Sequence, residues 1–285
     1  MTNRDGETPA QVAIARSFVE ARLGAKLLST YPGVPPANLD VGYAIQNAAI
    51  ALWPDEIAGW KVGRIGRGAE REFGCDRLAG PIFRRSILAP AKGGATPFPV
   101  FVGGFAAVEA EFIFVIGKDA PPTKTEWSRD EAKAMVGTVL AGVEIAGSPF
   151  AGINDYGPAV TISDFGNNGG LILGPELSGW RAFDFENWKC KAHIGARHAG
   201  ANDASSIPGG PLESFRFLLE HCASRGIPAR KGWRVSTGAV TGVHAIEPGE
   251  TARLVFIGCC TIDCIAVPAA PAAVSRTRAR LAAGT

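Results

Sequence analysis

The stretch VEAEFIFVIGKD, residues 108–119, predicts a buried β-strand that carries two acids on one face. Side chains of a strand point alternately to opposite faces, so Glu109 and Glu111 share one face while Ala110 and Phe112 share the other. An edge strand with one solvated face would also explain two acids. The apolar flanks favour burial instead, and two close buried carboxylates then need compensation such as a divalent cation.

A third acid stands alone in a similar apolar run. Glu144 in LAGVEIAGS, residues 140–148, follows Glu111 by 33 residues. A short helix is predicted between them, because Ser128 and Glu131 have the spacing of a capping box. Strand, helix and returning strand would bring the three acids to one sheet, where carboxylates plus waters suit Mg²⁺ or Mn²⁺.

Composition excludes several classes of protein. The chain of 285 residues is 46% hydrophobic, and its 29 Lys and Arg against 27 Asp and Glu leave a net charge of +2. Such a chain can bury a sizeable core, and it lacks the basic character of a general nucleic-acid binder. We therefore expect no nucleic-acid and no membrane partner. Six cysteines and a polar N-terminal stretch without a signal pattern lead us to expect a cytoplasmic protein with reduced thiols.

The pattern along the chain predicts an α+β fold. Apolar residues at helical spacing from Thr8 to about Leu28, and again from Asp40, predict a helical N-terminal lobe over residues 1–55. Short β-like runs separated by Gly and Pro follow, including AVTISDFG at 159–166. One longer helix is predicted at 211–226. We expect a β-rich mixed-sheet core over 56–270 and a tail over 271–285.

Five motifs together carry a family resemblance: GWKVG at 59–63, VEAEFIFVIGKD at 108–119, VEIAGS at 143–148, ISDFGNNGGLILG at 162–174 and STGAVTG at 236–242. In this order and spacing the chain resembles the 2-keto-4-pentenoate hydratase and 4-oxalocrotonate decarboxylase family of the fumarylacetoacetate hydrolase superfamily. The resemblance covers about residues 10 to 267. It implies a core of the fumarylacetoacetate hydrolase type and assembly into a homodimer or a larger assembly of dimers.

The resemblance also implies a reaction. In similar enzymes the equivalents of Glu109, Glu111 and Glu144 hold one Mg²⁺ or Mn²⁺, which receives the C1 carboxylate and C2 oxygen of a small 2-oxo or 2-hydroxy-dienoic acid. A metal-stabilised enolate is the common step. We expect a hydratase, or a decarboxylase, acting on substrates such as 2-hydroxypenta-2,4-dienoate.

The sequence is also compatible with three other functions. They are a 2-oxo-acid C–C hydrolase, an oxaloacetate-type decarboxylase of the same superfamily, and a non-catalytic structural paralogue. Hydrolases of this superfamily use a histidine before the metal strand, whereas the first histidine here is His193. That disfavours a hydrolase unless Glu70 or Glu72 holds the attacking water.

Two basic residues are candidates for contacts with substrate. Lys61 in GWKVG matches the family's conspicuous lysine, so the resemblance implies that it pairs with substrate or, with a lowered pKa, shuttles a proton. Arg64 adds positive charge near the expected pocket mouth, where it could bind a second substrate carboxylate.

Four further candidates lie where strands run into glycine-rich turns. Asp164 is a candidate catalytic residue, and Ser236, Thr237 and Gly238 are candidates for substrate binding through hydroxyl or backbone donors. Capping of the turns by the same side chains is an equally plausible role.

Overall fold

The structure, a computed structural model, describes residues 7–272. Within them lie six α-helices: α1 Pro9–Gly24, α2 Leu39–Leu52, α3 Arg67–Phe73, α4 Arg129–Lys133, α5 Pro158–Ser163 and α6 Pro211–Ser224. The same residues form thirteen strands: β1 Ile57–Arg64, β2 Arg77–Phe83, β3 Ile87–Leu88, β4 Thr96–Val100, β5 Phe105–Ile116, β6 Val136–Ser148, β7 Asn168–Glu176, β8 Lys189–Ile194, β9 Arg197–Asp203, β10 Arg234–Ser236, β11 His244–Ala245, β12 Thr251–Phe256 and β13 Cys260–Pro268. The predicted α+β fold with a mixed-sheet core and N-terminal helices is confirmed.

The first helix begins where its capping residues predict. The Thr8 hydroxyl accepts a hydrogen bond from the Gln11 backbone N–H, and the Gln11 side chain accepts one from the Thr8 N–H. This reciprocal arrangement satisfies two N–H groups that a helix start would otherwise leave unpaired. The helix ends at Gly24, earlier than the predicted Leu28, because Ala25 adopts a left-handed conformation with φ 49°.

The larger sheet has the order β2-β1-β10-β5-β6-β7-β3, and β11 also pairs with β5. Pairs β1·β10 and β3·β7 are parallel and the others antiparallel, so the sheet is mixed. The smaller sheet has the order β4-β13-β12-β8-β9. Strand β5 therefore lies in the interior of the larger sheet, with partners on both sides.

One face of β5 forms the main hydrophobic core. Phe112 and Phe114 are at most 1% exposed, and their rings contact Trp188 at 5.1 and 6.2 Å between centroids. Phe114 also contacts Phe215 of α6. Burying these rings excludes water from the strand and adds edge-to-face contacts. The predicted alternation thus places the aromatic residues in the core and the glutamates on the opposite face.

The N-terminal helices pack on the sheet through a second apolar cluster. Phe18 of α1 and Ile45 of α2 are buried together with Phe83, Phe150 and Phe165. The proposed division at residue 55 stays a prediction, since the two parts share this cluster. Most of the predicted tail, residues 273–285, lies outside the described residues.

The β-strand prediction for AVTISDFG was wrong. Residues Pro158–Ser163 form α5, which begins with Pro158 at its first position after Gly157 in a positive-φ conformation of 87°. All five residues from 159 to 163 are buried, and α5 packs against α2 so closely that a Cβ at Gly42 would lie 2.5 Å from the Ala159 carbonyl oxygen. Tertiary packing therefore overrides the β-propensity of the Val-Thr-Ile run.

Across residues 7–272, every helix is too short or too polar to cross a bilayer.

Candidate metal centre

Three glutamates from two neighbouring strands converge at one point. Glu109 and Glu111 lie on β5, and Glu144 lies on β6 directly opposite Glu109 in antiparallel register. One carboxylate oxygen from each lies within 4.8 Å of the others. Glu109 is 6% exposed, and the other two are fully buried. The structure thus brings together the three residues that the sequence singled out as metal ligands.

Burial and mutual repulsion perturb the acids of this cluster. Burial, and then the charge of Glu144, raise the pKa of Glu109 to about 7. The pKa of Glu111 is raised well above its usual range, mainly by burial and then by Glu144 and Glu109. Without a cation, the cluster therefore favours protonated carboxyls.

Lys61 supplies one positive charge to the cluster. It lies on β1, is 5% exposed, and its Nζ lies 3.1 Å from Glu144 Oε1 and donates to Asn167 Oδ1 at 3.1 Å. Burial opposes its charged form, but the nearby carboxylates, with Glu144 the strongest, raise its pKa above the usual value. The proton-shuttle interpretation required a lowered pKa, whereas Lys61 here is held as a cation.

The last residue of β10 and the turn that follows it hold Glu111 in place. Ser236 Oγ donates to Glu111 Oε2 at 2.6 Å, and the Gly238 N–H donates to the same oxygen at 2.8 Å. The hydroxyl of Thr237 points elsewhere and donates to the Phe112 carbonyl at 2.6 Å. Ser236 therefore contacts a candidate ligand, and its hydroxyl is already used by that contact.

The cluster fits a hard divalent cation. Glu111 Oε1 and Glu144 Oε2 are buried without a hydrogen-bond partner, so each has lone pairs available. Lys61 offsets one of the three negative charges, and a divalent cation would balance the remaining two. Carboxylate oxygens are the ligands that Mg²⁺ and Mn²⁺ prefer.

A pocket of about 610 Å³ opens beside the cluster. Lys61 and Glu109 form part of its wall, and so do three other candidate residues: Arg64, Thr237 and Gly238. Further polar lining residues are Arg77, Asn154, Thr161, Asn167, Ser206 and Ser214. The volume suits a small ligand, and among the described residues that form its wall none is a histidine.

Two arginines, Arg64 and Arg77, lie on one side of this pocket. Arg64 on β1 pairs in register with Arg77 on β2. Arg77 is 7% exposed and donates to the Pro208 carbonyl, while Arg64 is exposed. Glu70 and Glu72 are not among the residues that line the pocket.

Asp164 lies away from the pocket wall. It is fully buried, forms an ion pair with Arg22 at 2.5 Å, and accepts a hydrogen bond from Ser148 Oγ at 2.6 Å. The structure therefore places it in a buried ion pair and does not bring it to the candidate ligands.

Sequence reasoning missed three residues around the cluster. Asn168 Nδ2 donates to Glu144 Oε1 at 3.1 Å, Asn167 accepts from Lys61, and Arg22 pairs with Asp164. The two asparagines stand in the recognised motif ISDFGNNGG, where neighbouring amides were a usable signal. The sequence around Arg22 contains no comparable signal, because its partner Asp164 lies 142 residues away in sequence.

Comparisons with known proteins show what the chain is similar to. It is 26% identical over 255 residues to a 2-keto-4-pentenoate hydratase from Paraburkholderia xenovorans strain LB400, with 88% of this chain and 90% of the relative covered. A 2-keto-4-pentenoate hydratase 3 from Pseudomonas putida has the same identity and coverage. No protein-family model matches the chain.

Solved structures share the fold at low sequence identity. The 4-oxalocrotonate decarboxylase from Pseudomonas putida G7, complexed with magnesium and adipate, matches with a TM-score of 0.75 and 16% identity, over 94% of this chain and 99% of that one. A fumarylpyruvate hydrolase from Pseudomonas aeruginosa in complex with Mn²⁺ and pyruvate matches with a TM-score of 0.53 and 16% identity, over 74% and 89% of the two chains. These matches confirm the resemblance that the motifs predicted: the chain is similar in sequence to 2-keto-4-pentenoate hydratases and shares the fold of the 4-oxalocrotonate decarboxylase and fumarylpyruvate hydrolase structures.

Proposed function

We propose that this chain is a divalent-metal-dependent lyase that hydrates or decarboxylates short 2-hydroxy-dienoic or 2-oxo acids. One observation carries the proposal. Three carboxylates, two of them fully buried, meet a buried lysine beside a pocket of about 610 Å³. Such a cluster is costly for stability alone, since buried like charges oppose folding.

The ligands of the cation would be Glu109, Glu111 and Glu144. When bound, Mg²⁺ or Mn²⁺ would act as template and Lewis acid for the C1 carboxylate and C2 oxygen of the substrate. Ser236 and the Gly238 N–H fix the Glu111 carboxylate, and Asn168 fixes that of Glu144. These contacts orient the ligands before any cation arrives.

Lys61 is the residue proposed to act on the substrate. Its ammonium group lies on the pocket wall with its charge favoured by three carboxylates. From there it would pair, as a fixed cation, with the substrate carboxylate. Asn167 limits the positions that Nζ can adopt, which supports a defined geometry.

Relatives support this class of reaction. The hydratase similarity extends over most of both chains, and the decarboxylase of the same fold was solved with a six-carbon diacid, adipate. A C–C hydrolase that activates water through histidine is less well supported, because no histidine is found among the described residues lining the pocket.

The proposal is tested by product analysis. The purified protein is incubated with Mg²⁺ and either 2-hydroxypenta-2,4-dienoate or 2-oxohex-3-enedioate, and the products are identified by mass. A gain of water indicates a hydratase, and loss of CO₂ a decarboxylase. Cleavage into two carbon fragments would replace the lyase proposal by a hydrolase, and no turnover of any 2-oxo acid in a panel would contradict an enzymatic role.

A further inference from the structure

The 164–168 turn, which leads from α5 into β7, contacts two charged residues of the candidate centre, Lys61 and Glu144. Asn167 accepts a hydrogen bond from Lys61 Nζ, and Asn168 donates one to Glu144 Oε1, both at 3.1 Å. These neighbouring amides thus position the lysine and one candidate ligand. Any shift of this turn would move both groups.

The backbone of this turn is in an uncommon conformation. Phe165, Gly166 and Asn167 have φ values of 55°, 61° and 55°, so three successive residues lie in the left-handed region. Residues with side chains rarely adopt that region. Such a conformation persists only where the surrounding contacts enforce it.

Arg22 of α1 supplies several of the contacts that hold this turn. Its Nε donates to Asp164 Oδ1 at 2.5 Å, and its Nη2 donates to Asp164 Oδ2 at 2.9 Å. Its Nη1 donates to the Asn168 carbonyl at 3.0 Å. One guanidinium group therefore forms hydrogen bonds with residues at both ends of the turn. It also lies 5.3 Å from the centre of the Phe165 ring.

Arg22 also connects the turn to the strand that carries Glu144. Its Nη2 donates to the Gly147 carbonyl near the end of β6 at 2.8 Å, and Ser148 on the same strand donates to Asp164 Oδ2. The ion pair is buried, with side-chain exposures of 6% for Arg22 and 0% for Asp164. A planar fork makes these contacts at once, which a lysine ammonium cannot do.

We propose that Arg22 is a positioning residue for the metal centre. It fixes the 164–168 turn against β6, and through Asn167 and Asn168 it fixes Lys61 and Glu144, although it touches neither. This inference rests on the proposed function, in that the three glutamates are taken to hold a divalent cation. Helix α1 thereby helps to position the metal centre through Arg22, and Asp164 contributes by pairing with Arg22.

The test compares Mn²⁺ binding by the full wild-type chain and by Arg22→Lys, measured by calorimetry well below the unfolding temperature. The kcat and KM of both proteins are measured as well. Loss of partners that orient metal ligands commonly weakens affinity by about 10 to 100-fold, and we expect an effect of that size. Arg16→Lys, on the exposed side of the same helix, is the matched control and should bind Mn²⁺ as the wild type does.

Rescue separates positioning from a general loss of stability. Arg22→Ala should regain Mn²⁺ affinity in guanidinium at a concentration that does not unfold the protein, but not in methylammonium, because only guanidinium reproduces the fork. If Arg22→Lys does not fold, Asp164→Asn, which keeps the side-chain shape and removes the charge that pairs with Arg22, is measured instead and should weaken Mn²⁺ binding severalfold.

The outcomes separate this inference from the proposed function. Wild-type protein that binds no Mn²⁺ contradicts the metal centre itself. Wild-type protein that binds Mn²⁺, with a folded Arg22→Lys variant of equal affinity and equal kcat, contradicts the positioning role alone. A folded Asp164→Asn variant that binds Mn²⁺ as tightly as the wild type contradicts it in the same way. So does an Arg22→Ala variant whose Mn²⁺ affinity is the same with and without guanidinium.

Discussion

Glu109 on β5 and Glu144 on β6 lie directly opposite each other across an antiparallel ladder. Like charges in such a cross-strand pair oppose the pairing, and burial increases the cost. Lys61 lies 3.1 Å from Glu144 Oε1 and offsets only part of the repulsion. The pairing therefore gives a physical reason to expect a cation between the two strands.

The metal-free protein should lose stability as pH rises through the range in which Glu109 titrates. Burial and the charge of Glu144 raise the pKa of Glu109 from 4.5 to about 7 in the folded state. Between these values the folded state binds more protons than the unfolded state, so the free energy of unfolding falls as pH rises. Urea unfolding in EDTA at stepped pH measures the effect.

Glu109→Gln is the control for this pH dependence, because it removes the titrating group and keeps the side-chain shape. Its stability should vary less across the same range. A wild-type stability in EDTA that rises with pH between these values would contradict the electrostatic account. Added Mg²⁺ should stabilise the wild type more at high pH, since ligands must be deprotonated to bind metal.

Replacing Lys61 by methionine should separate metal binding from turnover. The metal-free variant leaves Glu144 buried without its cation, which costs about 3 to 5 kcal/mol of stability. Mn²⁺ should bind at least as tightly, because no ammonium group competes for Glu144. We expect kcat/KM to fall by about 10 to 100-fold, because the substrate carboxylate would lose a hydrogen bond from a charged group.

Calorimetry, urea unfolding and steady-state kinetics on Lys61→Met measure these three quantities. Lys191→Met, on the exposed side of β8, is the matched control and should leave all three unchanged. Wild-type kcat/KM in a folded Lys61→Met variant would remove Lys61 from the proposed reaction.

Ser236→Ala should weaken Mn²⁺ binding by about 10-fold, because it removes a 2.6 Å hydrogen bond that orients Glu111. At saturating Mn²⁺ the KM for substrate should stay the same. Ser224→Ala, exposed at the end of α6, serves as the control. The opposite pattern, an unchanged metal affinity with a raised KM, would show instead that Ser236 binds substrate.

The candidate metal ligands could be predicted from sequence because strand alternation is a local rule. Glu109 and Glu111 share a face by their spacing, and Glu144 returns to the same sheet after the short helix α4. The same local reasoning located α1, α2 and α6 to within a few residues, since their caps and apolar spacing lie within each segment.

Features that depend on distant contacts could not be predicted in this way. The Val-Thr-Ile run of α5 has strand propensity, but its packing against α2 makes it helical. Asp164 looked like a catalytic acid at the end of a strand, whereas Arg22, 142 residues earlier, takes up its carboxylate. The contact of Ser236 with Glu111 likewise joins residues 125 apart in sequence.

Arg64 provides a test of how the pocket selects its substrate. If it binds a second substrate carboxylate, Arg64→Gln should raise the KM for 2-oxohex-3-enedioate about two- to fivefold, the range for an exposed ion pair. The KM for 2-hydroxypenta-2,4-dienoate, which lacks that carboxylate, should change less. Arg71→Gln, exposed on α3, is the control, and equal changes for both substrates would argue against this role.

The most direct measurement of the central claim is Mn²⁺ binding to the wild type, to Glu111→Gln and to the exposed control Glu126→Gln. We predict one Mn²⁺ per chain for the wild type and the control, and loss of binding for Glu111→Gln. At 100 times the dissociation constant, bound metal should add about 2.7 kcal/mol to the stability of the first two. Undiminished Mn²⁺ binding by a folded Glu111→Gln variant would contradict the proposed metal centre.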